Sequence, residues 1–330
     1  MLSLKVDNRW CCNPRYYVAE ERKKLMQIPP EVTKCAVFIG LNFPNEIKYC
    51  ATGFIVGVSA NESAFDGRHY DYLVTAKHVI DGIKEYYEDK NTTEEKRKII
   101  LRINDTKGSA KIIITEIKDW IFHPTDESVD AAIIPLTLLP SDQFDAVAII
   151  EDYALNEEKI KQDAIGSGDD VFFTGLFKFL RVEKQRNLPI IRTGIISLMP
   201  EEKVWLNEKF KYAEGYLVEF RSIGGLSGSP AFVWTNNFRK VGDTTHFGPP
   251  SGKAFHWLGL VHGHWKTSES KVDYIDLLKE DSMDNDERNV GIAFVVPANK
   301  ILEIINRSDL KEQRSKAEKD LRDRNATRLD

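Results

Sequence analysis

Short apolar runs, each bounded by polar or turn-forming residues, recur along the middle of the chain. The first group comprises CAVFIGL (35–41), ATGFIVGVS (51–59), YDYLVTA (70–76), KIILRI (98–103), AKIIITEI (110–117) and DAAIIPL (130–136). After a gap come DDVFFTGLF (169–177), PIIRTGIISL (189–198), GYLVEF (215–220), SPAFVW (229–234), FHWLGLVHGH (255–264) and NVGIAFVVP (290–297). Their Val, Ile and Phe content, and the Gly, Asp, Asn and Pro between them, predict β-strands. Two such groups without long amphipathic helices between them argue for a barrel or sandwich rather than a parallel α/β sheet.

The segments between the strands divide the chain. Residues 151–170, EDYALNEEKIKQDAIGSGDD, are polar and carry Gly166 and Gly168, as a crossover between two units does. Segments 83–98 and 266–288 are charged and are expected to be solvated loops with some helix. Residues 297–306, PANKILEIIN, have helical spacing after a Pro start. The polar stretch 307–330 either extends that helix or frays. The expected organisation is an N-terminal extension (1–34), a first β-barrel (35–150), a crossover (151–168), a second barrel with a helix (169–306) and a polar tail (307–330).

Composition then narrows the function classes. The 330 residues are 42% hydrophobic and 29% charged, with a formal net charge of −5. Without a basic excess, nucleic acid is not an expected partner. No apolar run approaches the ~18 residues that span a bilayer, so no membrane partner is expected either. The N-terminus is broken by charge and by Pro14, and lacks the apolar centre of a secretory signal. The four cysteines, Cys11, Cys12, Cys35 and Cys50, make no disulfide framework, and adjacent cysteines pair poorly. Free thiols in a reducing cytoplasm are the expectation. His262 and His264 lie two apart on a strand and so share a face, but no third ligand is close in sequence. No metal or cofactor is expected.

Three segments carry candidate chemistry. In LVTAKHVIDG (73–82) an apolar strand ends at Thr75-Ala76 and His78 follows; a lone His there is more often a surface or packing residue. In HPTDESVDAAIIPL (123–136) Asp130 sits at the mouth of an apolar strand, where an Asp is usually a turn residue; His123 and Asp126 read as loop residues. In IGGLSGSPAF (223–232) Ser227 occupies a Gly-rich turn between two strands. Acyl transfer needs backbone N–H groups aimed at one oxygen, and Gly permits the torsions that aim them. Gly225 and Ser227 would donate those N–H groups, and Gly228 leaves room beside the hydroxyl. Alone, that turn could be only a β-turn. Jointly, the order His, Asp, Ser is one of three chain orders known for a nucleophile, base and orienting acid.

TAKHV, VDAAIIPL and GLSGSPAF resemble the three catalytic motifs of trypsin-like (chymotrypsin-fold) serine peptidases. ATGFIVG, GDDVFFTG, RTGIISL, LGLVHGH and GIAFVVPANKI extend the likeness over about residues 35–306, the last two resembling HtrA-type and other bacterial stand-alone members. The resemblance implies an all-β fold of two six-stranded antiparallel barrels with a C-terminal helix. It implies a serine endopeptidase acting on protein or peptide substrates through His78, Asp130 and Ser227, with Gly225 and Ser227 forming the oxyanion hole. It places Arg221 and Ser222 near the base of a specificity pocket, with His262 and His264 at its wall, a setting that could favour an acidic side chain. Gly263, on strand 261–264, would give a substrate backbone close access.

The departures from the family also carry expectations. Leu226 stands where trypsin has an Asp that pairs with a new N-terminal amine, so loop ordering or a regulatory protein partner would replace cleavage as the switch. Cys50 matches one half of a family disulfide whose other half is here Val79. Ser229 replaces the second Gly after the nucleophile, as in glutamyl endopeptidases. Leu226 also keeps open a second class of function: a catalytically silent protein-binding module with its oxyanion loop collapsed.

Overall fold

The computed structural model describes residues 28–43, 46–59, 69–93, 96–136, 143–177, 180, 186–220, 226–235, 238–264 and 291–326, with backbone alone at 238–239, 264, 321–322 and 324–326. Among the described residues β-strands are the commonest regular structure. The N-terminal strands are β1 (Ala36–Asn42), β2 (Ile47–Ser59), β3 (His69–Thr75), β4 (Lys98–Asn104), β5 (Ala110–Glu116), β6 (Ile121–Phe122), β7 (Ala132–Pro135) and β8 (Ile149–Ile150). They form one eight-stranded sheet in the order β5-β4-β1-β2-β3-β7-β6, with β8 added parallel to β2 at Val56 and Gly57. The six-stranded closure expected for this half is not made by the strand ladders among the described residues. The long β2 serves β1 with its first half and β3 with its second, and a bulge at Ile39/Gly40 bends the β1–β2 pair.

The C-terminal strands are β9 (Asp170–Gly175), β10 (Ile190–Leu198), β11 (Val204–Trp205), β12 (Tyr212–Ala213), β13 (Tyr216–Glu219), β14 (Pro230–Trp234), β15 (Phe238–Val241), β16 (Thr244–Phe247), β17 (Phe255–His264) and β18 (Ile292–Pro297). Six of them, β10-β13-β18-β17-β14-β9, close into the antiparallel barrel expected here, while β11–β12 and β15–β16 are separate hairpins.

Strand alternation builds two cores at once. Val171 and Phe173, Ala231 and Val233, and Ala293 and Val295 point into the barrel. Their neighbours Phe172, Phe232, Phe294 and Val296 point outward into the core of the N-terminal sheet. A period of two thus fills the barrel and covers its flank. Phe54 of β2 meets Trp257 of β17 edge-on at 5.6 Å.

The described residues also include four α-helices: α1 (Lys77–Asp89), α2 (Glu157–Gln162), α3 (Ala298–Ile305) and α4 (Ser308–Ala326). The helix expected within part of the charged segment 83–98 is α1, which covers 83–89 and begins earlier, at Lys77; Val79, Ile80, Ile83 and Tyr87 recur at helical spacing and are buried amid the charges. It ends in a Schellman motif, Asn91 N–H to Glu88 O (2.9 Å) and Thr92 N–H to Tyr87 O (2.9 Å), with Asn91 at φ 48°. Asn156 caps α2 through Lys159 N–H (2.9 Å). The polar tail is a separate helix, α4, pinned by buried Arg314, whose guanidinium donates to Tyr72 Oη (2.7 Å) and Ile305 O (2.9 Å). The insertion 266–288 and the extension 1–27 lie outside the described residues. No helix is long and apolar enough to cross a membrane among the described residues.

Candidate active site

β3 is buried from Tyr72 to Thr75 and turns directly into α1, so His78 falls in the helix's first turn. The helix has no side-chain cap at Ala76 and no acid of its own in that turn. The first N–H groups of a helix need an acceptor from elsewhere. Asp130 supplies it: its Oδ1 accepts from the His78 backbone N–H at 2.8 Å. β7 pairs with β3 so that Ala132 lies opposite Thr75, which carries Asp130 to the start of α1. Its Oδ2 then receives His78 Nδ1 at 2.6 Å.

A second imidazole reaches the same oxygen. His262 Nδ1 lies 2.5 Å from Asp130 Oδ2, and the rings of His78 and His262 meet edge-on at 5.0 Å and 75°. The β17–β18 register skips from Val261 to Gly263, so His262 is the extra residue of a β-bulge. A bulge re-aims a side chain that alternation would send elsewhere. His262, expected on or near a pocket wall, is buried on Asp130, and His264 is described by its backbone alone. Arg221, Ser222 and Gly225 lie outside the described residues.

All three groups are buried, and their electrostatics follow from that. Burial acts to raise the Asp130 pKa, but His78 and His262 outweigh it and hold the carboxyl well below the usual carboxylate range. For His78, burial pushes the pKa down; Asp130 pulls the other way, while His262 and Lys209 add to the depression. An ionised Asp130 is acceptor-only, so both Nδ1 atoms carry hydrogen and the Nε2 of a neutral His78 is the basic nitrogen.

The same three residues are the metal-capable cluster among the described residues, their ligand atoms all within 4.8 Å of one another. Nitrogen and oxygen ligands of a tetrahedral zinc sit at about 2.0–2.2 Å from it, hence about 3.3 Å apart. Separations of 2.5 and 2.6 Å are those of hydrogen bonds, and the arrangement does not fit an ion between these atoms.

Ser227 stands in the turn that opens β14. The turn is clamped on both sides: Ser227 O accepts from Thr52 N–H (3.0 Å), Gly228 N–H donates to Val261 O (2.9 Å), and Val261 N–H donates to Ser229 O (2.9 Å). Thr52 also accepts Thr75 Oγ1–H on its carbonyl (2.8 Å) and Leu176 N–H on its Oγ1 (2.8 Å). Gly228 has φ +83°, and a Cβ there would lie 2.1 Å from Thr52 O and 2.3 Å from Thr75 Oγ1. The turn therefore packs against the end of β3, two residues before the helix that carries His78. A Cβ on Gly263 would stand 3.7 Å from Ser227 Oγ, so the bare backbone of β17 leaves space beside the hydroxyl. Among the described residues nothing accepts from the Ser227 N–H. Ser229 is fully buried against Gly175, and Leu226 packs in the barrel interior.

The site is covered. His78 is 1% exposed. The tip between β11 and β12 places Phe210 edge-on to His262 at 5.3 Å, and Lys209 binds Asp81 of α1 at 3.0 Å. His123 and Asp126 belong elsewhere, His123 Nε2 pairing with Glu303 of α3 at 2.9 Å. Two features escape a sequence reading: the His262–Asp130 contact, created by the bulge, and the Phe210 cover, whose two-residue strands carry almost no pattern.

No family model and no curated protein matches the sequence. Among solved structures, the crystal structure of Deg5 is similar over 82% of this chain and 87% of that one, at 12% identity and a TM-score of 0.42, a likeness too loose to speak to the chemistry.

Proposed function

We propose that the protein is a serine-type endopeptidase of two-barrel, chymotrypsin-like architecture, with Ser227 as nucleophile, His78 as general base and Asp130 as its orienting acid. The carrying observation is the Asp130 carboxylate, which fixes His78 through both backbone and ring while the Ser227 turn packs against the strand leading into that helix. Ser227 Oγ attacks the peptide carbonyl and its proton passes to His78 Nε2. Asp130 stabilises the imidazolium, which then protonates the leaving amine. Water resolves the acyl-enzyme by the reverse transfers. The Ser227 N–H, with that of Gly225, would hold the oxyanion. The β14 ladder on β17 ends at Leu260, so a substrate strand would lie along 262–264, past Gly263 and beside Ser227.

The Phe210–Lys209 tip, with Phe210 on His262 and Lys209 on Asp81 of α1, supports control of the site by loop ordering or by a partner. Cys35 and Cys50 are free and buried, which accords with our placing the protein in the cytoplasm. The same cover favours a second reading, a silent protein-binding module.

Labelling with a fluorophosphonate probe separates the two. Wild type is expected to label and Ser227→Ala not to, with turnover falling on the order of 10⁶-fold in the variant. Wild type that stays unlabelled, alone and with candidate partners, would establish the binding reading. Peptides bearing Glu, Asp, Lys, Arg, Leu or Ala before the scissile bond then test the acidic preference, which cleavage after Lys or Arg excludes.

A further inference from the structure

The proposed chemistry needs one imidazole on Asp130, and the structure holds two. We infer that His262 is a positioning residue, acting on His78 through the Asp130 oxygen they share; this deepens the peptidase reading and rests on it. The contact is built rather than incidental. Residue 262 is the bulge residue of β17, its ring is buried, and Phe210 and Phe294 meet it edge-on at 5.3 and 6.0 Å.

Two N–H groups on Oδ2 occupy both lone pairs of that oxygen, and the His78 backbone N–H holds Oδ1. The carboxylate cannot rotate without breaking one of these bonds. His262 therefore locks the plane in which His78 must lie. It also draws on the charge of Oδ2, so Asp130 stabilises a resting imidazolium at His78 less and leaves the ring available as a base near neutrality. Among the described residues, the charged and titratable groups that face this pair are Asp130, the partner ring itself and Lys209 of the covering tip, the last held by Asp81.

The test compares wild type with His262→Phe, which keeps a ring but no donor, and His262→Asn, whose amide replaces the Nδ1–H. Proton NMR of ¹⁵N-histidine-labelled protein should show two downfield Nδ1–H resonances in wild type. In His262→Phe one disappears, the His78 resonance moves, and His78 titrates higher by about one pH unit. Turnover should fall about tenfold, in kcat rather than KM, for loss of one hydrogen bond to a charged group. His262→Asn should restore the His78 titration and most of kcat; His262→Leu repeats the donor-free arm should the Phe variant not fold. An unmoved His78 titration in the donor-free variant, or an Asn variant that behaves like it, overturns the inference. Wild type that shows both resonances and the His262-dependent titration but never labels with the fluorophosphonate overturns the peptidase reading and leaves the positioning role standing.

Discussion

Replacing Asp130 by Asn changes one atom of a carboxylate that accepts three N–H groups, and its cost can be worked from how those groups divide. Two of them, both Nδ1 donors, converge on Oδ2, and the backbone N–H of His78 goes to Oδ1. If the amide oxygen takes the Oδ2 place, the new NH₂ faces the His78 N–H, and the first turn of α1 loses its only cap. If it takes the Oδ1 place, the NH₂ faces both imidazoles, which must move their protons to Nε2. Either choice sets donors against donors in a site that excludes water. Losing one bond to a charged group costs about 1.5–3 kcal/mol, and losing a carboxylate at a helix N-terminus adds about 0.5–1 kcal/mol. The expected destabilisation is about 2–4 kcal/mol, read as a lower midpoint at unchanged slope in urea unfolding. If the second orientation prevails, His78 presents Nε2–H to Ser227 and cannot take its proton. Fluorophosphonate labelling should then slow by about 10⁴-fold, the loss known for such a tautomer error in the chymotrypsin-type triad. An Asp130→Asn protein within about 0.5 kcal/mol of wild type would refute the reasoning, because the three bonds would then not carry the site.

Three further outcomes follow from the same structure. Gly228→Ala must place a Cβ against Thr52 O at 2.1 Å with φ at +83°, so about 3 kcal/mol of stability and most labelling should be lost; urea unfolding that matches wild type would contradict the packing described. Asp71 is pushed up to about 7 by burial, and its Oδ1 has no hydrogen-bond partner among the described residues. Its folded pKa exceeds its unfolded value, so the folded state holds the extra proton. Its contribution is full below about pH 4 and lost as pH rises through 7, and Asp71→Asn should gain about 4 kcal/mol at pH 8 relative to pH 4. A pH-independent difference would show the slope to come from another group. Phe210→Ala should cost about 3 kcal/mol for the lost buried ring yet label faster than wild type, by loosening the tip that holds His262; slower labelling would mean that the ring supports the site instead of shielding it.

Much of the strand order was legible because it depends on short-range pattern. The runs at 51–59, 70–76, 189–198 and 255–264 are strands here, and the alternation of Phe172 with Phe173 already divides barrel interior from flank. His78 and Asp130 stand 52 residues apart and meet because the two apolar runs they flank, β3 and β7, pair. What stayed hidden has local physical causes. The start of helix α1 at Lys77, ahead of the charged segment in which some helix is expected, is hidden because it follows directly on β3, and β6, β8, β11 and β12 are too short to show any period. Closure of the N-terminal sheet is a matter of how β2 bends, which no alternation encodes. The contact of His262 with Asp130 is not legible in the sequence, because period two fails at a bulge and a bulge leaves no mark in composition.

Thr52 has a consequence for the order in which the molecule assembles. Its carbonyl and hydroxyl bind Thr75 of the sheet and Leu176 at the end of β9, and its N–H holds the carbonyl of Ser227. The turn at Ser227 is thus shaped by residues from both ends of the chain and by neither alone. While only one half of a nascent chain is folded, His78 can already pair with Asp130, but the Thr52 clamp on the serine turn forms only when the two halves meet. On the reading proposed above, proteolytic competence arrives last, after docking is complete, and a half-made molecule is harmless to its surroundings.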